Sequence, residues 1–391
     1  MSTIIAENPA ATAAPAKVPA WRTLGWAAFL GASWTWCIGM FVPVLLVRDY
    51  GRAAWLVFAV PNVIGAAAMG WVLRTRAASE RLTRDHRAAC WWFSTVTIGF
   101  HLFFAAWIIQ RLLPGGGPGA LATAAVAAVA FYVAGAGQDH RDLVGACVAL
   151  AVSLAAMTLF LNLHGVTAPA PGARPTGEVW FLLPVCVVGF ALCPYLDLTF
   201  HRARQDLPAP QSRTAFTVGF GALFLSMIVF TLLYAPPLAA WLGGHTIRPA
   251  VAAVIGLHML TQTGFTTAIH TRAAGRPTRT LAAAAALSAV MFGLAAVLPR
   301  DPALSTGEVT YRLFMAFYAL VFPAYLLCHI VSRRRHAARR AMFVASLLFA
   351  GPVYAAGFLG GRMAWAAAGA AVLLLVGALA LFGSRTREEP S

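Results

Sequence analysis

Asp197 is the clearest ionisable residue inside any long apolar segment of this chain, and Pro194 lies three residues before it. A carboxylate at hydrocarbon depth costs about 3 kcal/mol on insertion scales, so such residues are usually retained for a function. Proline removes a backbone donor and clashes with the preceding turn. The polar groups freed there are tolerated in a membrane only where they line a cavity or are buried in protein, and there they become ligands for ions or solutes. Asp197 either serves such a site or forms an ion pair or helix cap with Arg202 or Arg204 close by. A second irregular run, Gly31-Ala32-Ser33-Trp34-Thr35-Trp36-Cys37-Ile38-Gly39 with Pro43 beyond it, places hydroxyls and glycines inside another apolar segment. Glycine there serves either a site or close helix packing.

Other residues could do chemistry. His101 and His258 are imidazoles in apolar surroundings, suited either to proton coupling or to hydrogen-bonded packing. Thr266-Thr267 offers adjacent hydroxyls, hard oxygen ligands for a cation, although hydroxyls in helices also bond their own backbone. Tyr311, Tyr318, Pro323, Tyr325 and His329 form an aromatic stripe that lines a gate or simply packs. Two polar clusters, Asp139-His140-Arg141-Asp142 and His201-Arg202 with Asp206, are the candidates for lipid chemistry at an interface, but both read as solvated loop turns. Cys37, Cys90, Cys147, Cys186, Cys193 and Cys328 have no metal-binding spacing and read as small buried hydrophobes.

The elements that must position these residues follow from composition. With 60% hydrophobic and 11% charged residues, a 391-residue chain lacks the polar surface of a water-soluble globule. Apolar stretches of the length a bilayer requires fall at roughly 22–47, 52–73, 88–113, 119–137, 141–163, 178–200, 212–235, 249–270, 278–299, 307–332, 341–360 and 363–383. The chain reads as an all-α membrane protein of about 12 transmembrane helices. Assigning the intervening segments alternately to two sides, with the N-terminus cytoplasmic, puts 21 Lys and Arg inside and 8 outside, as the positive-inside rule requires. The excess of basic residues thus serves topology, and nucleic acid is not an expected partner. The expectation is a multi-pass protein of the inner membrane with a disordered cytoplasmic tail over 1–20.

Ile98-Gly99-Phe100-His101 and Ile255-Gly256-Leu257-His258 share the pattern IGxH at a displacement of 157 residues. The same displacement brings Gly31 within one residue of Gly189, and carries the segment holding Gly65 and Gly70 onto that holding Gly219 and Gly221. It spans five helices, an odd number, so the two units are inverted relative to each other. That gives a first repeat at 21–165, a second at 176–333, two additional helices at 338–383 and a cytoplasmic tail at 384–391.

Ten helices in inverted 5+5 order, irregular in the first helix of each half, resemble the LeuT-type fold of the amino acid-polyamine-organocation superfamily. The run from Gly189-Phe190 through Cys193-Pro194-Tyr195-Leu196-Asp197-Leu198-Thr199 is similar to that superfamily's helix 6. The run Gly31-Ala32-Ser33-Trp34 to Pro43, followed by Pro61-Asn62, resembles the sodium:solute symporter branch. The resemblance implies a solute site near Ser33, Trp34, Thr35, His101, Phe104, Phe190, Tyr195, Asp197 and Gln262. It also implies a sodium site at the Ala32 carbonyl with Thr266 and Thr267.

The expected function is a secondary active transporter of a small polar solute, working by alternating access and coupled to Na+ or H+. No other cofactor and no catalytic residue is expected. A transport-derived membrane sensor is the alternative, although no output domain follows residue 383. A membrane-embedded enzyme acting on lipid is a further one, resting on Asp139 or Asp142.

Overall fold

A computed structural model describes residues 18–113, 118–135, 139–168, 172–332 and 334–382, so most of both expected tails lies outside the described residues. All regular structure among them is helical. The first apolar segment is two helices, α1 (Ala20–Trp34) and α2 (Cys37–Tyr50), bent by 53°. Then come α3 (Ala54–Val72), α4 (Arg76–Asp85), α5 (Arg87–Leu112), α6 (Pro118–Ala134) and α7 (Asp139–His164). The sixth segment is also divided, into α8 (Thr176–Leu196) and α9 (Leu198–Asp206). The chain continues through α10 (Ala209–Leu242), α11 (Pro249–Ala274), α12 (Pro277–Val297), α13 (Thr306–Val331), α14 (His336–Leu359) and α15 (Met363–Phe382).

Among the described residues, nine helices are long and apolar enough to cross a membrane, ten if α1 and α2 are one span, and the chain is a multi-pass membrane protein. The long helix α11 falls outside that set because it is polar. Every residue from His258 to Thr271 is nevertheless buried, so its hydroxyls, amide and imidazoles face protein and not lipid.

Local chemistry sets several boundaries. Gly51, at φ +82°, ends α2 in a conformation that favours glycine, and Gly275, at φ +70°, closes α11 the same way. Thr75 caps α4 by accepting the Ala78 N–H at 3.1 Å. Ser305 accepts the Glu308 N–H at 3.2 Å and caps α13. The short charged helix α4 has no counterpart among the apolar segments. It docks on α9 through Ser79, whose hydroxyl lies 2.7 Å from His201 Nδ1 and 3.0 Å from Gln205 Nε2.

Two groups of helices surround the broken segments. In one, α2 packs along α10 and α3 along α8, while α1 packs on α10 and also reaches α7. Gly65 makes the α3–α8 approach possible, because a Cβ there would lie 2.5 Å from the Phe190 carbonyl. In the other group, α11 packs on α5, α6 and α7, and α12 on α5. The hydrophobic core is continuous across both groups.

Candidate functional site

The break between α1 and α2 is a tight turn at Thr35 (φ −75°, ψ 67°), closed by the Trp36 N–H donating to the Trp34 carbonyl at 2.8 Å. The helix end exposes carbonyls, and the sequence supplies their donors. Ser33 Oγ donates to the Leu30 carbonyl at 3.1 Å, Thr35 Oγ1 to that of Gly31 at 2.8 Å, and Trp36 Nε1 to that of Ser33. On the far side of the turn, His101 Nε2 accepts the Cys37 N–H at 3.3 Å, while Nδ1 lies 2.7 Å from the Thr97 carbonyl. Trp34 Nε1 donates to Asn62 Oδ1 at 2.7 Å. Gly31 lies within continuous helix and serves packing, for a Cβ there would meet the Gly219 carbonyl at 3.1 Å. The irregularity begins four residues later than that glycine.

The second break begins at Cys193-Pro194, a turn of tighter helix to Leu196 followed by extended backbone at Asp197. Asp197 is fully buried and caps α9, accepting both the backbone N–H and the hydroxyl of Thr199 at 2.7 Å through Oδ1. Thr199 Oγ1 lies 3.4 Å from Ser33 Oγ, so the two breaks touch through their hydroxyls. Asp197 Oδ2 has no hydrogen-bond partner, and His270 Nε2, also without one, is 3.9 Å away.

Of the two structural roles read for Asp197 beside the functional one, the helix cap is present and the arginine pair is not. Arg202 turns away to Asp139 at 2.7 Å and Asp142 at 2.8 Å. Arg204 donates to the Leu73 carbonyl at 2.6 Å and to those of Arg74 and Leu207, closing the end of α3.

Beside the breaks is an apolar cavity of about 70 Å³, walled by Trp34, Trp36, Phe58, Gly189, Phe190 and Tyr318, with Asn62 at its polar point. Of the expected solute residues, Trp34 and Phe190 line it, and Ser33, Thr35, His101 and Asp197 build the breaks beside it. Phe104 packs on Phe41 and Tyr311, and Tyr195 offers its carbonyl to His201 Nε2 at 3.0 Å. Gln262 belongs to a separate buried cluster, where its Nε2 donates to Ser153 at 2.8 Å beside His258 Nδ1 at 2.9 Å from the same hydroxyl.

Of the expected sodium ligands, Thr266 Oγ1 is buried without a partner and Thr267 is buried beside it on α11, while the Ala32 carbonyl accepts the Thr35 N–H at 3.2 Å.

Ion-pair networks lie at both ends of the broken helices. At the end holding Arg48, that side chain grips Glu308 with two bonds of 2.7 and 3.0 Å and Asp49 with one of 2.7 Å. Arg312 returns to Asp49 at 3.0 Å and Glu308 at 2.8 Å, joining α2 to α13. At the opposite end Arg22 holds Asp206 with bonds of 2.6 and 2.9 Å, and Trp26 Nε1 donates to the same carboxylate at 2.5 Å. Asp142, itself buried, accepts from both Arg202 and Arg272. The acidic clusters read from sequence as solvated loop turns are therefore inter-helix ties.

The chain matches no protein-family model and no curated protein. The reading of this site rests on its own geometry. His270 and Ser94 take part in it without having stood out in sequence, whereas Thr199 and Asn62 stood there only as members of the runs that carry the resemblance. The one legible signal was Asp197-Leu198-Thr199, the spacing of an aspartate that caps a helix through the second residue beyond it.

Proposed function

We propose that this protein is a secondary active transporter that carries a small solute across the inner membrane by alternating access, with a LeuT-type arrangement of twelve spans in an inverted 5+5 order plus α14 and α15. The observation that carries the reading is the meeting of two helix breaks beside an apolar cavity, with ion-pair networks at both ends. Broken helices at membrane depth are costly unless their freed groups serve a site. Here they flank a cavity, and the second break buries the carboxylate of Asp197 beside it. The residues that open the helices after the two breaks, Trp36 and Asp197, lie 161 positions apart, within four of the repeat displacement.

The networks act as two gates. Parting Arg48 and Arg312 from Asp49 and Glu308 opens the cavity to the side we assign as periplasmic. Parting Arg22 from Asp206, and Asp142 from its arginines, opens it to the cytoplasm, where the N-terminus lies. Each network balances its charges, so opening exchanges ion pairs for hydration at modest net cost. The aromatic walls and single amide favour a solute with an apolar body and one polar group, or a cation held over ring faces. Asp139 and Asp142, the acids of the lipid-enzyme reading, are both engaged by Arg202.

The test is a thermal-shift panel of L-amino acids, nucleobases and quaternary amines on the purified protein. It is followed by exchange of the best-stabilising solute in proteoliposomes. Cysteines placed at Arg48 and Glu308, or at Arg22 and Asp206, in a background lacking the native cysteines, should stop exchange when oxidised and restore it when reduced. Absence of exchange for every stabilising solute, or exchange indifferent to both cross-links, would overturn the reading.

A further inference from the structure

We propose that Asp197 and His270 together hold the proton to which transport is coupled, an inference that rests on the transporter reading. Both side chains are fully buried. Asp197 spends Oδ1 on Thr199 and leaves Oδ2 unpaired. His270 spends Nδ1 on Ser94 Oγ at 3.2 Å and leaves Nε2 unpaired, 3.9 Å from that oxygen. Two unpaired atoms of complementary type less than 4 Å apart are one small shift away from a hydrogen bond.

Apart from the N-terminus of α9, which Asp197 caps through Oδ1, their surroundings supply no opposite charge to the pair. The ionisable groups that face it are Cys90 and His101 from α5 and Tyr318 from α13. His101 accepts the Cys37 N–H through Nε2, which only a neutral imidazole can do. Cysteine and tyrosine are ordinarily uncharged at neutral pH. Among the described residues no arginine pairs with Asp197, since those of α9 and α11 bind Asp139, Asp142 and backbone carbonyls.

Charge neutrality then selects the proton count. With one proton the pair is neutral, whether that proton sits on Asp197 Oδ2 or on His270 Nε2. With none it is a buried anion, and with two a buried cation, each heavily penalised away from water. While both gates are closed the pair keeps one proton. When a gate opens and water reaches it, the proton leaves from Oδ2 or Nε2 to that water, or is taken from it. The pair lies where the two broken helices meet, so movement of either half changes its 3.9 Å separation. Trp36, in edge contact with His270 at 5.6 Å between ring centres, couples the pair to the cavity wall.

The test is a proton count on the full-length protein in lipid nanodiscs, titrated between about pH 5 and about pH 9 with the proton itself as the only ligand. Wild type should release one proton more than Asp197→Asn over that range. His270→Gln should keep the count but move its midpoint by about one pH unit or more, because the partner that shares the proton is gone. The infrared band of a protonated carboxyl should disappear in Asp197→Asn. Ser94→Ala, which keeps both titrating groups and frees the ring, gives a second variant should either substitution fail to fold. It should shift the midpoint without changing the count. An Asp197→Asn curve that overlays wild type overturns the proposal, as does release of the same proton on adding NaCl at fixed pH, which would assign the pair to sodium. Solute exchange at equal pH on both sides separates the two readings. A normal proton count with no exchange leaves the proton pair standing and removes the transporter.

Discussion

His101 on α5 holds the broken first segment in place by accepting the Cys37 N–H at 3.3 Å, with its other ring nitrogen 2.7 Å from the Thr97 carbonyl of its own helix. The ring therefore pins the first residue of α2 to a neighbouring helix. His101→Ala should strand a buried N–H and cost about 1–3 kcal/mol, read as a lowered melting temperature in detergent. His101→Gln, which can still present an acceptor, should recover part of the loss. Equal losses in both variants would show that the ring packs and does not cap.

The gate at the Arg48 end predicts a change in access. Cys186 and Cys193 line the cavity and serve as native probes once the other four cysteines are replaced. Glu308→Gln removes the charge that both Arg48 and Arg312 share. Labelling of the cavity cysteines by a membrane-impermeant maleimide from that side should speed up about tenfold for each 1.4 kcal/mol of lost closure. An unchanged rate would mean that this network does not gate the cavity.

Two neighbouring acids should behave oppositely. Asp142 has a side chain 3% exposed and holds Arg202 and Arg272, whereas that of Asp139 is 63% exposed. Asp142→Asn takes the shared carboxylate from two half-buried arginines, of which Arg202 alone keeps a second acid, Asp139, and should cost about 2–3 kcal/mol. Asp139→Asn should cost less than about 1 kcal/mol. Folded yield and melting temperature of the two variants check the contrast.

Glycines at the same helix interface separate packing from site. Gly65→Ala would press a methyl into the Phe190 carbonyl at 2.5 Å and should destabilise by about 1–3 kcal/mol as α3 and α8 part. A Cβ at Gly189 meets nothing within 4 Å and projects at the cavity wall. Gly189→Ala should leave the melting temperature unchanged or raise it slightly. It should weaken binding of whichever solute stabilises the wild type.

The helices were largely legible because lipid imposes a length. A span needs about 20 apolar residues, and each expected segment coincides with helix among the described residues, the largest overrun being that of α10 to Leu242 against an expected end at 235. The helix α4 was not legible, since ten residues with three arginines and two acids carry no membrane signal, and only docking of Ser79 on His201 and Gln205 gives it a place. The breaks were legible as regions. Their exact positions were not, because Gly31 looks as disruptive as Thr35 until the Gly219 backbone is seen to need the space.

Composition and pattern by themselves determined that the chain lives in a bilayer, that its first and sixth segments are irregular, and that Asp197 is an expensive residue to bury. These follow from solvent and from local backbone chemistry, which act within one helix. Tertiary structure alone decided what Asp197 meets. His270 ends an expected span two residues before Arg272 and reads as a boundary residue. Packing of α11 against α5 turns it inward, opposite the unpaired oxygen of Asp197. Contacts between residues 73 positions apart depend on how helices cross, and in lipid that crossing is set by small residues and polar contacts with no local period in the sequence.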